Sequence, residues 1–186
     1  VSKNHFPDVQ IVKSYDEILN NENIELIIVN TPDKFHYKMA RLALEAGKHV
    51  VIEKPITQKS DQAEELIKIA KAKNVVLTVF QNRRWDGDFR TVQKILKEKK
   101  LGRLVELESH YDRYRTAITP DTWKEEADEF GGVLYNLGSH MIDQVYVLFG
   151  KPESVRAKIK IVRAGGTVPD YYDIRLEYNG FTAILK

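Results

Sequence analysis

No cysteine occurs among the 186 residues, which removes disulfides, thiol nucleophiles and thiolate metal sites together and fits a reducing compartment. Neither sign of charge is in excess. The 29 basic and 27 acidic residues leave a formal +2, too weak a field to draw nucleic acid or a membrane surface. No apolar run comes near the roughly 18 to 20 residues of a membrane span, and no signal-peptide pattern opens the chain. These absences lead us to expect a cytoplasmic protein without nucleic-acid or membrane partners and without a metal site. The ten glycines include no Gly-x-Gly, so the turn that cradles the phosphates of a dinucleotide is missing. The chain starts on Val1 and finishes on an alternating, strand-like segment with no closing element, which reads as a piece of a longer protein.

What is present is ordinary globular composition, 42% hydrophobic and 30% charged, enough to bury a core as one large domain or two small ones. Leu26-Ile27-Ile28-Val29 is a continuous aliphatic run, the pattern of a strand covered on both faces. Phe35, Met39, Leu42, Ala43 and Ala46 then recur at helical spacing, and Gly47 stops that helix. A second strand follows at His49 to Ile52. Ser60 is placed to cap a helix whose inner face holds Ala63, Leu66, Ile67 and Ala70, and Val75 to Val79 returns to the sheet. This β-α rhythm predicts a parallel sheet with right-handed crossovers. After Gln81 the pattern changes. A helix from about Asp88 to Lys99 leads to a strand at Leu104 to Glu108, and later segments alternate. Val155, Ala157, Ile159 and Ile161 share one side of the first, and Tyr172, Ile174, Leu176 and Tyr178 one side of the second. Asn179-Gly180 predicts a type I′ hairpin returning through 181–185. The second half is therefore a largely antiparallel sheet, with a domain boundary near Gln81. The first alternating face should pack on the helix bearing His140, leaving Arg156, Lys158 and Lys160 to solvent or another subunit.

Two stretches carry chemistry. The strand at His49 to Ile52 ends in Glu53-Lys54-Pro55. Proline biases the residue before it away from the helical region, so the Lys54 amine should point into the crevice beyond the strand end, where ligands bind in open parallel sheets. The second stretch, from Gly131-Gly132 to Asp143, opens a helix that runs to Phe149. At about 100° per residue, Asn136, His140 and Asp143 share a narrow sector. An amide thus precedes the imidazole by one turn, and a carboxylate follows it at the spacing of a group that orients a proton-transfer histidine. From the spacing alone, a surface histidine on a solvated polar face is the favoured reading.

In order and spacing, Asn30-Thr31-Pro32 with His36, then Glu53-Lys54-Pro55, Asn82-Arg83-Arg84, Gly131-Gly132 and Gly138-x-His140 with Asp143 resemble the glucose-fructose oxidoreductase, inositol dehydrogenase and MocA group of NAD(P)-dependent dehydrogenases. The similarity covers essentially the whole chain. It implies that 1–81 is part of a Rossmann dinucleotide-binding domain and 82–186 part of a C-terminal α/β domain, whose sheet joins subunits into a homo-oligomer. It implies NAD or NADP as cofactor, and hydride transfer to or from a secondary alcohol of a sugar, cyclitol or related small polyol. It implies Lys54 and His140 as the catalytic pair. Asn30, Thr31, Pro32, His36, Glu53, Lys54, Pro55, Asn82 and Arg84 would line the cofactor, and Lys54, Arg113, Tyr114, Asn136 and His140 the substrate. Tyr111 ends the strand before that polar and aromatic cluster, and Trp123 and Lys124 fall in the loop before the His140 helix. The resemblance also implies a cis peptide between Lys54 and Pro55, the one bond type where cis is cheap. Two departures stand out. The Gly-rich turn is absent, and Asn136 stands where many members carry aspartate; an amide does not accept a proton at neutral pH. Other readings on the same fold are a non-catalytic, sugar-responsive regulator and a nicotinamide-dependent glycosidase.

Without backbone donors for the pyrophosphate, the isolated 186-residue chain is expected to bind NAD(P)H poorly. Fluorescence titration with NADH and NADPH should show no saturable binding in the low micromolar range.

Overall fold

A computed structural model describes residues 5–119, 122, 125 and 131–186. The chain divides into two compact units: one holds the residues up to Thr31 together with Phe35–Val79, the other Pro32–Lys34 and Phe80–Lys186.

In the first unit, α1 (Tyr15–Leu19) starts at a capping box in which Ser14 and Glu17 each satisfy the other's backbone N–H. Then follow β1 (Leu26–Val29), α2 (His36–Glu45), β2 (His49–Glu53), α3 (Ser60–Lys73) and β3 (Leu77–Phe80), giving a parallel sheet of order β1-β2-β3. Leu26 pairs with His49 and Val29 with Ile52. Gly47, at φ +75°, supplies the left-handed turn that releases α2 toward β2. The core is Ile27, Val29, Val50 and Ile52 from the sheet, packed against Ala40, Ala43 and Leu44 of α2 and Leu66 and Ala70 of α3.

Three expectations for this unit need correction. Among the described residues β1 is covered on one face only, with Ile27 and Val29 buried and Leu26 and Ile28 exposed, because α1, α2 and α3 all pack onto the same buried cluster. The buried face of α2 is His36, Ala40, Ala43 and Leu44, whereas Phe35 and Leu42 are exposed. On α3, Ile67 also lies outside the core, and the N-cap position falls to Lys59 rather than Ser60.

The second unit contains α4 (Gly87–Lys97), β4 (Glu106–Ser109), a π-helical segment (Leu134–Gly138), α5 (Ser139–Phe149), β5 (Ser154–Lys160), β6 (Tyr171–Tyr178) and β7 (Phe181–Leu185). Its sheet has the order β4-β7-β6-β5. β5/β6 and β6/β7 are antiparallel, and β4/β7 is parallel, so the sheet is mixed though mostly antiparallel. Met141 and Val145 of α5 pack on Tyr172, Ile174 and Leu176 of β6 and Ala183 and Leu185 of β7. That position leaves β5 uncovered, and each of its residues is exposed. Val155, Ala157 and Ile159 do share the helix side, but they meet Ile142, Tyr146 and Pro152 across an open apolar groove of about 260 Å³ instead of packing directly. The hairpin pairs Tyr178 with Phe181 as expected. Only Gly180 enters the left-handed region, at φ +85°, so the turn is not type I′, which needs positive φ at both central residues. The closing pair is fixed instead by stacking of Tyr178 on Phe181, centroids 4.8 Å apart, with Phe149 edge-on to Phe181.

The helix faces give a paired prediction. Leu66→Ala should lower unfolding free energy by about 2–5 kcal/mol, as expected for a fully buried leucine. The adjacent Ile67→Ala, on the exposed face, should cost less than about 1 kcal/mol, both read from urea denaturation.

Candidate functional site

In the first unit the strand exits are drawn together by one side chain. His36, on the buried face of α2, has no exposed surface. Its Nδ1 lies 2.7 Å from the carbonyl oxygen of Pro55 and its Nε2 2.9 Å from that of Thr31. The Lys54–Pro55 peptide is cis, as the resemblance implied. Lys54 leaves β2 half-buried, its backbone N–H donating to Glu53 Oε2 at 3.2 Å. Asn30 and Pro32, which flank Thr31 in the sequence, are exposed, and the Thr31 hydroxyl is buried with no hydrogen-bond partner among the described residues. His36 was expected to line a cofactor directly. It has no accessible surface, and both ring nitrogens lie within hydrogen-bond distance of backbone carbonyls.

In the second unit, Asn82–Trp85 forms a short 3-10 turn tied to α5. Arg84 donates through Nε and Nη2 to both oxygens of Asp143, at 2.7 and 2.6 Å. Gln144 donates to the Arg83 carbonyl, and the Arg83 guanidinium sits 5.2 Å from the centre of the Tyr111 ring. The expected cofactor contact Arg84 and the expected orienter Asp143 thus hold each other, and that hydrogen bond raises the guanidinium above its ordinary value. His140 is the second residue of α5 and is buried at 6% exposure. Asn136 stands in the π-helical segment before it. A π turn is wider than an α turn, so the 100° spacing that aligned Asn136 with His140 does not hold across this stretch. Arg113 and Tyr114 lie beyond the end of β4, exposed, Tyr114 at 93%. Trp123 and Lys124 lie outside the described residues.

Sequence reading missed the support of this segment. Val133 N–H donates to the Pro169 carbonyl at 2.8 Å. Gly132, at φ +96°, is indispensable there because a Cβ would stand 2.3 Å from that same oxygen. The loop carrying Pro169 is held by Arg163, which donates to both oxygens of Glu125, at 2.9 and 2.8 Å, and to Asp170 at 2.8 Å. Burial pushes the Asp170 carboxyl up, but the N–H groups of Val162 and Arg163 and the Arg163 guanidinium outweigh it and leave the group below its ordinary value. Beneath His140, burial pushes the Tyr172 hydroxyl up to about 12, and that hydroxyl donates to the sulfur of Met141. None of these pairs has helical or strand spacing, and no local signal announces them.

The family model described as the oxidoreductase family with an NAD-binding Rossmann fold matches residues 3–81, and that of the GFO/IDH/MocA C-terminal domain matches 89–186. The chain belongs to the GFO/IDH/MocA oxidoreductase family. An uncharacterized oxidoreductase of Schizosaccharomyces pombe is 44% identical over 95% of this chain and 49% of its own length. The scyllo-inositol 2-dehydrogenase (NADP(+)) IolW of Bacillus subtilis is 41% identical over 98% of this chain and 51% of its own. The solved structure of Bacillus subtilis yvaA superposes with a TM-score of 0.94 at 41% identity, covering 99% of this chain and 52% of that one. The chain spans about half the length of the curated relatives that it matches.

Against the nicotinamide cofactor of this family, the strand exits fit. Lys54 leaves the carboxyl end of a parallel strand half-buried, and Asn30 is exposed just past the end of the neighbouring strand, the place where ligands meet an open parallel sheet. Among the described residues no group of three or more His, Asp or Glu is placed to hold a metal ion, and no helix is long and apolar enough to cross a membrane.

The Asp170 pair sets a pH dependence. A carboxyl held low in the folded chain stabilises it fully above the unfolded-state value and loses that contribution as pH falls. The thermal midpoint of the protein should exceed that of Asp170→Asn near neutrality, and the gap should close between about pH 5 and about pH 2.

Proposed function

We propose that this chain forms part of an NAD(P)-dependent dehydrogenase that interconverts a secondary alcohol and a ketone on a sugar, cyclitol or related polyol. The observation that carries the reading is the exit of β2: a half-buried lysine, Lys54, leaves the carboxyl end of a parallel strand beside the exit of β1. The relatives support it, one being named a scyllo-inositol dehydrogenase. Hydride exchange is the chemistry supplied by a bound nicotinamide. The family resemblance makes Asn30, Thr31, Pro32, Glu53, Pro55, Asn82 and Arg84 the cofactor-lining candidates. The Lys54 ammonium donates a hydrogen bond to the substrate hydroxyl oxygen and favours its developing negative charge. A ring nitrogen of His140 takes the hydroxyl proton, and Asn136, Arg113 and Tyr114 hydrogen-bond the remaining hydroxyls. The charged side of the second unit's sheet, with Arg156, Lys158 and Lys160, is the side that would meet another subunit. Asn136 in place of an acid favours a second reading, a sugar-responsive regulator without turnover.

The test is steady-state oxidation of a polyol panel by the complete protein with NAD and NADP. Lys54→Ala and His140→Ala should each lower kcat by about 10²- to 10⁴-fold while cofactor still binds. Tight cofactor and sugar binding without net NAD(P)H formation on any substrate would support the regulator instead.

A further inference from the structure

The segment that carries Asn136 and His140 rests at both ends on one short strip of chain, Pro169 to Tyr172. Before the π-helical turn, the Val133 N–H donates to the Pro169 carbonyl at 2.8 Å. Directly after His140, the sulfur of Met141 accepts from the hydroxyl of the buried Tyr172. Gly138, inside the turn, lies so close to the same ring that a Cβ there would stand 3.6 Å from it. The position of the strip therefore sets the position of the segment.

Within the strip stands Asp170, whose side chain is only 12% exposed. Its carboxylate closes the connection between β5 and β6. Oδ1 accepts from the Val162 N–H at 2.6 Å, and Oδ2 accepts from the Arg163 N–H at 3.0 Å and from Arg163 Nε at 2.8 Å. The Asp170 N–H donates to the Lys160 carbonyl at 3.1 Å, which carries the β5/β6 pairing one residue past Tyr171. Arg163 in turn grips both oxygens of Glu125, and the Thr167 hydroxyl donates to the Glu125 carbonyl at 3.0 Å. The connection runs through Gly165 and Gly166, residues with much conformational freedom to lose, so these ties give it its shape. Three N–H groups converge on Asp170, and a carboxylate offers an acceptor to each. An amide of the same size turns its NH₂ toward at least one of them in either orientation.

We propose that Asp170 is a positioning residue for His140: it fixes the strip Pro169 to Tyr172, and the strip fixes both ends of the segment on which Asn136 and His140 stand. It acts through its neighbours in the chain and not on the reacting atoms. The benefit to proton transfer rests on the function proposed above; the anchor does not.

Hydrogen–deuterium exchange of the complete protein reads the anchor without turnover. Asp170→Asn should speed exchange at Val133 and through 134–141 by about tenfold, the scale of one net hydrogen bond, while α4 keeps its rate. Unchanged exchange in 133–141, or an equal rise in α4, would overturn the proposal. Should that variant not fold, Arg163→Lys decides: it keeps the charge and the backbone bonds to Asp170 and loses the Nε donor. Exchange in 133–141 should then rise about threefold, part of one hydrogen bond, and no rise would overturn the proposal equally. In turnover, on the polyol of the panel that the complete protein oxidises fastest, Asp170→Asn should lower kcat by about 10- to 10²-fold, the effect of a small misplacement, with NADPH binding unchanged. Parental kcat in a variant whose 133–141 segment is loosened would overturn the link to His140. If the complete protein turns over no polyol while Asp170→Asn loosens that segment, the functional reading fails and the anchor stands.

Discussion

Two backbone carbonyls, those of Thr31 and Pro55, impose the constraint on which the first unit's strand exits depend. Both belong to chain that has just left a parallel sheet, where a carbonyl is away from its ladder. Among the described residues the group that reaches both is on α2, which places an imidazole on a face otherwise made of Ala40, Ala43 and Leu44. The small alanines let the helix lie close to the strands, and the ring fills the end of that contact while bonding both exits. An aliphatic residue there would fill the same space and leave both oxygens without a partner.

The same preference for alanine explains why the sequence misleads about this helix. Phe35, Met39 and Leu42 score as the apolar stripe, yet the buried set of His36, Ala40, Ala43 and Leu44 has equally good helical spacing and is built mostly from small or polar side chains that stand out less. Continuous aliphatic strands are ambiguous in a similar way. Leu26 to Val29 identifies β1 as a strand, but a run without alternation does not say how many faces are covered. The β-α rhythm and the alternation of β5 to β7 were legible because each rests on neighbours within one element. The cis peptide at Pro55 was legible only through family resemblance.

In the second unit the illegible part is the support of His140. Arg84 and Asp143 are 59 positions apart, and Arg163 and Glu125 are 38 apart; ion pairs at such separations leave no periodic trace. Together they hold the His140 segment at both ends. Arg84 fixes the side of α5 through Asp143, and the Pro169 carbonyl fixes the backbone before Leu134 through Val133. Between these anchors the chain accommodates a π-helical turn, and a Cβ at Gly138 within it would press on the Leu134 side-chain end at 2.8 Å. The imidazole is therefore set by long-range contacts more than by the helix that carries it.

The place of β7 in its sheet has a consequence for the order in which the protein is made. β7 lies between β4 and β6, and its parallel partner β4 pairs Glu106 with Thr182. When β4 leaves the ribosome its neighbour has not been synthesised, and it stays so through the whole of α5, β5 and β6. The β5/β6 hairpin is able to form early, but α5 has no complete floor to lie on until Ala183 and Leu185 arrive. Closure of this unit is thus a late, non-local event in which the loop entropy is lost before the contacts reward it. During synthesis the apolar side of α5 thus stays partly uncovered until β7 completes the sheet beneath it.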